Sequence, residues 1–191
     1  MAILDSGCQT LMLKLYGVKD PDFESQADIV QFQKEIGFGD VPFSGLKATA
    51  WFGKQKLSVP DVFVFSADGK YIPYKDSLKP NCNGPAEVFL SELDPKREYQ
   101  FSEDYSLNNF LELLEGPNCQ PLNFKKMNEV DFYIFMNYAS FLGKKIFKEK
   151  SIIWFDSLKQ NKKIKYQLYM VNMDFKDCWT PEQKQLFESA D

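Results

Sequence analysis

The strongest constraint on the fold is a strand–helix–strand rhythm in the last third of the chain. Residues 130–138 are rich in Phe, Tyr and Ile and read as a strand. Residues 141–161 read as a long helix with Leu142, Ile146, Phe147, Ile153, Trp154 and Leu158 turned inward. Residues 166–173 read as the next strand. A crossover of this length favours two parallel strands in one sheet. The chain therefore predicts an α/β fold, a central mixed sheet flanked by helices.

Other local signals are consistent with it. Ser25 with Asp28 forms a helix start, and Ile29, Phe32 and Ile36 share one helical face before Gly37. Residues 46–52 read as a short strand. Pro60 leads the continuous apolar run Val62 to Phe65, Asp68-Gly69 turns the chain, and residues 70–74 return. Pro73 cannot donate to a ladder and places that return at an edge or bulge. A helix from Asn83-Gly84-Pro85 should turn Val88, Phe89 and Leu93 inward. Residues 94–105 are polar and read as a surface loop. Ser106 caps a helix carrying Leu107, Phe110, Leu111 and Leu114, and residues 116–129 read as a linker. Thr180-Pro181-x-Gln183 starts a final helix.

Composition removes several kinds of chemistry. The 191 residues contain no histidine, which excludes imidazole-based nucleophile systems and imidazole metal sites. The net charge of −4 gives no global case for nucleic acid. No Gly-rich phosphate loop or nucleophile elbow occurs. Asp20-x-Asp22-x-Glu24 starts like a calcium loop, but Ser25 and Gln31 occupy the positions that need Gly and Glu. The sequence thus implies neither metal nor cofactor. Cysteines stand at 8, 82, 119 and 178 without CxxC spacing, so packed free thiols are the default. An oxidising compartment would permit a disulfide among Cys82, Cys119 and Cys178.

Two stretches resemble the thioredoxin-like superfamily. Val59-Pro60-Asp61, the strand to Phe65, Asp68-Gly69 and the helix from Asn83 are similar to that family's proline-led third strand, antiparallel fourth strand and final helix. Residues 130–179 are similar to its first strand, active-site helix and second strand. The resemblance implies a cis Val59–Pro60 bond and a redox pair near the start of the 141–161 helix. Ser140 and Gly143 fall where the two cysteines would be, so the redox pair is lost. The proline-led strand also precedes the strand–helix–strand block, which implies either a rearranged strand order or a small thioredoxin-like first half with the second half appended. Leu15-Tyr16-Gly17-Val18-Lys19-Asp20-Pro21 resembles a stretch in a group of bacterial envelope lipoproteins with no known activity.

Leu4-Asp5-Ser6-Gly7-Cys8 is similar to the end of a lipoprotein signal and makes Cys8 the candidate lipid-attachment site. Residues 1–24 then form an N-terminal segment serving as a tether, and 25–191 a single thioredoxin-like domain. Cys82 and Cys178 lie beside expected helix starts and are candidate reactive thiols. Residues 144–165 carry eight lysines against Glu149 and Asp156, either a solvated helix face or a patch for anionic lipid or an acidic partner.

The expectation is a non-catalytic envelope protein on the periplasmic side. Its partner would be another envelope protein or an anionic membrane surface, with membrane contact through the lipid anchor and no nucleic acid. The alternatives are a thiol-dependent oxidoreductase using Cys82 or Cys178, an immunity or inhibitor protein, and a cytoplasmic location.

Overall fold

Continuous burial of the central strands requires cover on both faces of the sheet, and two apolar layers supply it. The structure, a computed structural model, describes residues 17–53, 57–74 and 85–188. Cys8, Cys82 and the apolar stretch 10–16 fall outside those residues. The strands are β1 (Phe23–Glu24), β2 (Phe43–Leu46), β3 (Asp61–Ser66), β4 (Lys70–Tyr71), β5 (Ser102–Ser106), β6 (Leu114–Glu115), β7 (Phe132–Tyr138), β8 (Tyr166–Asn172) and β9 (Phe175–Lys176). The helices are α1 (Gln26–Glu35), α2 (Pro85–Ser91), α3 (Leu107–Glu112), α4 (Gly143–Gln160) and α5 (Pro181–Glu188).

Seven strands form one mixed sheet in the order β5-β4-β3-β7-β8-β2-β6. β2, β8 and β7 run parallel, β3 is antiparallel to β7, and β4 is antiparallel to β3. β7 and β8, late in the chain, thus lie between β2 and β3, which are consecutive in it. β1 and β9 form a separate parallel pair. The expected α/β class and the parallel crossover through α4 are both present.

Alternation along the strands assigns the layers. Val62, Val64, Ile134, Met136 and Tyr138 pack with Phe32 of α1, Leu90 of α2, and Phe147, Trp154 and Leu158 of α4. Phe63, Phe65, Tyr133 and Phe135 pack on the other side with Leu107 and Phe110 of α3. The expected caps form: the amide of Asp28 donates to Ser25 Oγ, that of Asn109 to Ser106 Oγ, and that of Gln183 to Thr180 Oγ1. Two buried side chains tie helix ends together. Gln33 Nε2 donates to the carbonyls of Phe38 and Val41, both at 2.7 Å, while its Oε1 accepts from Tyr138. Asn161 Nδ2 donates to the carbonyl of Leu93 at 2.8 Å, beyond the end of α2.

Local details depart from the sequence expectations. The buried ridge of α2 is Ala86 and Leu90, continued by Leu93, while Val88 is 56% exposed. The small Ala86 lets α2 press against α4, and that packing rotates Val88 outward. Ile153 is likewise outward, because the inner stripe of α4 runs Phe147, Ser151, Trp154, Leu158. Residues 102–106 are a strand rather than loop, since an edge strand beside β4 needs no apolar alternation. Residues 48–52 form a 3₁₀ turn after β2. Among the described residues no helix is long and apolar enough to cross a membrane.

Candidate functional site

Parallel strands end together, and their carboxyl ends are where open α/β sheets commonly place polar groups. Here β2, β8 and β7 finish on one edge, and the loops after β7 and β8 meet there. The Ser140 amide donates to Asp174 Oδ1 at 2.7 Å. Its hydroxyl lies 3.0 Å from the same oxygen and 3.1 Å from Glu24 Oε1. A hydroxyl has one hydrogen, so it serves one of these carboxylates at a time. Asn172 Nδ2 donates to Asp174 Oδ2 at 2.6 Å. Glu24 also accepts from Lys19, and the Lys19 amide donates to the Phe141 carbonyl at 2.8 Å. The segment from Gly17 to Glu24 is thereby strapped across the head of α4. An open groove of about 600 Å³ lies beside it, lined by Lys19, Glu24, Glu35, Ser140 and Lys144 among others.

This arrangement fixes the Ser140 hydroxyl between two side chains. Both acceptors are carboxylates, and both Asp174 oxygens already take bonds from Ser140 and Asn172. Full burial pushes the Asp174 carboxyl above its usual range, with the Asn172 and Ser140 bonds opposing the rise. The sign follows from linkage. A carboxyl whose folded pKa is raised binds its proton more tightly in the native state. Its contribution to stability is fully present below the unfolded value and is lost as pH climbs through the folded one. In urea titrations the wild type should therefore lose stability relative to Asp174→Asn as pH rises from about 4 toward neutrality. A difference that stays constant with pH would rule out the raised carboxyl.

The seam continues under the β1–β9 pair, where Glu24 lies in register with Lys176. Lys176 and Glu115 are both buried, and Lys176 Nζ donates to Glu115 Oε1 at 2.6 Å and to the Leu46 carbonyl at 2.9 Å. Trp179 Nε1 donates to the same Glu115 oxygen at 2.9 Å. Burial pulls the Lys176 ammonium below its usual range, and the bond to Glu115 works against that. A β-carbon at Gly45 would overlap the Lys176 amine, so a larger residue there would have to push that amine aside. A cavity of about 10 Å³, room for about one water, lies between Gly45, Asn118, Asn172, Lys176 and Cys178.

Cys178 corrects the sequence expectation. It is bonded to Cys119, with Cα atoms 6.0 Å apart, and so is not a free thiol. Ser140 and Gly143 do stand at the start of α4, in the 3₁₀ turn and at the first helical residue. The Val59–Pro60 bond is cis, and Asp61 pairs with Asn137, so Pro60 enters the sheet at the edge where β7 ends. Asp174, Lys176, Glu115 and Asn172 were missed as site residues. A signal existed in the charges that directly follow the buried strand β8, but their partners lie 34 and 61 residues away in sequence. Among the described residues no group of three or more Cys, Asp or Glu side chains is placed to hold a metal ion. Comparisons with protein-family models, curated proteins and solved structures find no match to this chain.

Proposed function

We propose that this chain is a non-catalytic binding protein on a thioredoxin-like sheet, working on the periplasmic side of a bacterial envelope with Cys8 as its lipid-attachment site. The observation that carries the reading is the head of α4. Ser140 and Gly143 stand there, where the resemblance would put a dithiol, and Asp174 and Glu24 hold the Ser140 hydroxyl. The neighbours of β3 support it too. The proline-led β3 runs antiparallel to β7, β4 runs antiparallel to β3, and α2 follows β4 in the chain. The partner is another envelope component or an anionic membrane surface. All eight lysines of residues 144–165 are exposed and suit an anionic surface.

Two measurements test this. The full chain, given a disulfide-bonded peptide and dithiothreitol, should add nothing to the uncatalysed rate of exchange. The protein recovered from its own cells should fractionate with the envelope and carry a diacylglyceryl mass on Cys8. Acceleration that disappears in a Cys119→Ser/Cys178→Ser variant would replace the reading with a thiol enzyme. An unmodified Cys8 in a cytosolic fraction would remove its envelope part.

A further inference from the structure

The turn that carries Cys119 is held in an unusual backbone state. Asn118 and Cys119 have φ of 54° and 58°, two consecutive left-handed residues, neither of them glycine. Contact between Cβ and the backbone disfavours that conformation for Cys119, whereas asparagine adopts it more readily. Two local bonds close the turn, from the Gly116 amide to the Gln120 carbonyl at 2.7 Å and from the Gln120 amide to the Pro117 carbonyl at 3.2 Å. The covalent tie to Cys178 is the further restraint.

That tie bridges the two segments that supply the buried ion pair. Glu115 lies four residues before Cys119, and Lys176 lies two residues before Cys178. Cys178 also lines the small cavity beside Lys176, together with Gly116, Pro117 and Asn118 of the turn. The two cysteines differ in exposure, Cys178 being exposed and Cys119 half-buried. Exchange depends on which sulfur an attacking thiolate can reach.

We infer that the Cys119–Cys178 bond is a reducible latch, opened by a dithiol that attacks Cys178. This does not depend on the thioredoxin-like reading. The dithiol's thiolate bonds to Cys178 Sγ, and the bond to Cys119 breaks. Cys119 departs as a thiolate and takes up a proton. The second thiol of the reductant then attacks the mixed disulfide and releases Cys178. Two electrons and two protons pass to the protein, and the reductant leaves as a cyclic disulfide. Once free, the 117–120 turn relaxes from its left-handed state. Water then reaches the Lys176–Glu115 pair, and the segment from β9 to α5 loosens.

The test uses the full chain under native conditions. Limiting glutathione should yield a mixed disulfide on Cys178, located by peptide mass spectrometry. Dithiothreitol should open the bond without denaturant. Residues 114–120 and 175–180 should then lose their protection against hydrogen exchange, while β7 and β8 stay protected. The Cys119→Ser/Cys178→Ser variant should reproduce this pattern, and the reduced wild type gives the same reading if that variant fails to fold. Any of four results would overturn the latch: a mixed disulfide on Cys119, a bond that resists native reduction, unchanged protection in both segments, or loss of protection across the whole sheet at once.

Discussion

Replacing Glu115 by alanine is expected to cost about 3–5 kcal/mol of folding stability, because it strands the Lys176 ammonium in the interior. Lys176 is 4% exposed and Glu115 8%. The same Glu115 oxygen also accepts from Trp179 Nε1, so a second donor loses its partner. The loss should depend on pH with a definite sign. Burial already holds the Lys176 pKa low, and without Glu115 nothing comparable opposes the drop. The unfolded chain then binds a proton that the folded chain has released, so the variant's stability rises as pH climbs toward the ordinary lysine value. The deficit is largest at neutral and acidic pH and shrinks in alkali. Pairing Glu115→Leu with Lys176→Met removes both charges and should recover much of the loss. Part should remain, since the Trp179 N–H and the Leu46 carbonyl are left unpaired. Urea unfolding of the Glu115→Leu and Lys176→Met singles and their double completes the cycle, with an expected coupling of at least about 1 kcal/mol. Additive effects would mean that the two charges do not meet.

Removing the cross-link is expected to cost about 2–3 kcal/mol. The bond joins residues 59 apart in sequence. In the chain-entropy account, freeing a loop of that length in the unfolded state costs about 4 kcal/mol. Release of the left-handed backbone at Cys119 returns about 1–2 kcal/mol of that. The loop contains β7, α4 and β8, which form the centre of the sheet, so the bond constrains the unfolded chain around its core. The Cys119→Ser/Cys178→Ser variant should melt roughly 5–10 °C lower. A melting point unchanged by the substitutions would show that the bond restrains little in either state.

Local chemistry was legible wherever its partner was near in sequence. Ser25, Ser106 and Thr180 announce helix starts, and each accepts the expected backbone amide three residues on. The apolar pattern of residues 130–173 dictates a parallel crossover, since a helix of that length must pack back on the sheet that it leaves. Ser140 and Gly143 were placed at the head of that helix by resemblance alone. The Asp174 and Glu24 that hold Ser140 were not, because no local rule links residue 140 to residues 174 and 24.

The sequence by itself determined the class of fold, most helix starts, the Asp68-Gly69 turn, and the continuous burial of Val62 to Phe65. Periodicity states which face of an element turns inward, and caps state where the element begins. Neither states which element will be its neighbour. Only the tertiary structure placed β7 and β8 between β2 and β3, turned Val88 outward, joined Cys119 to Cys178 and paired Lys176 with Glu115. Those outcomes follow from contacts between distant segments, whose energies depend on the packing of the whole sheet and leave no periodic trace in the chain.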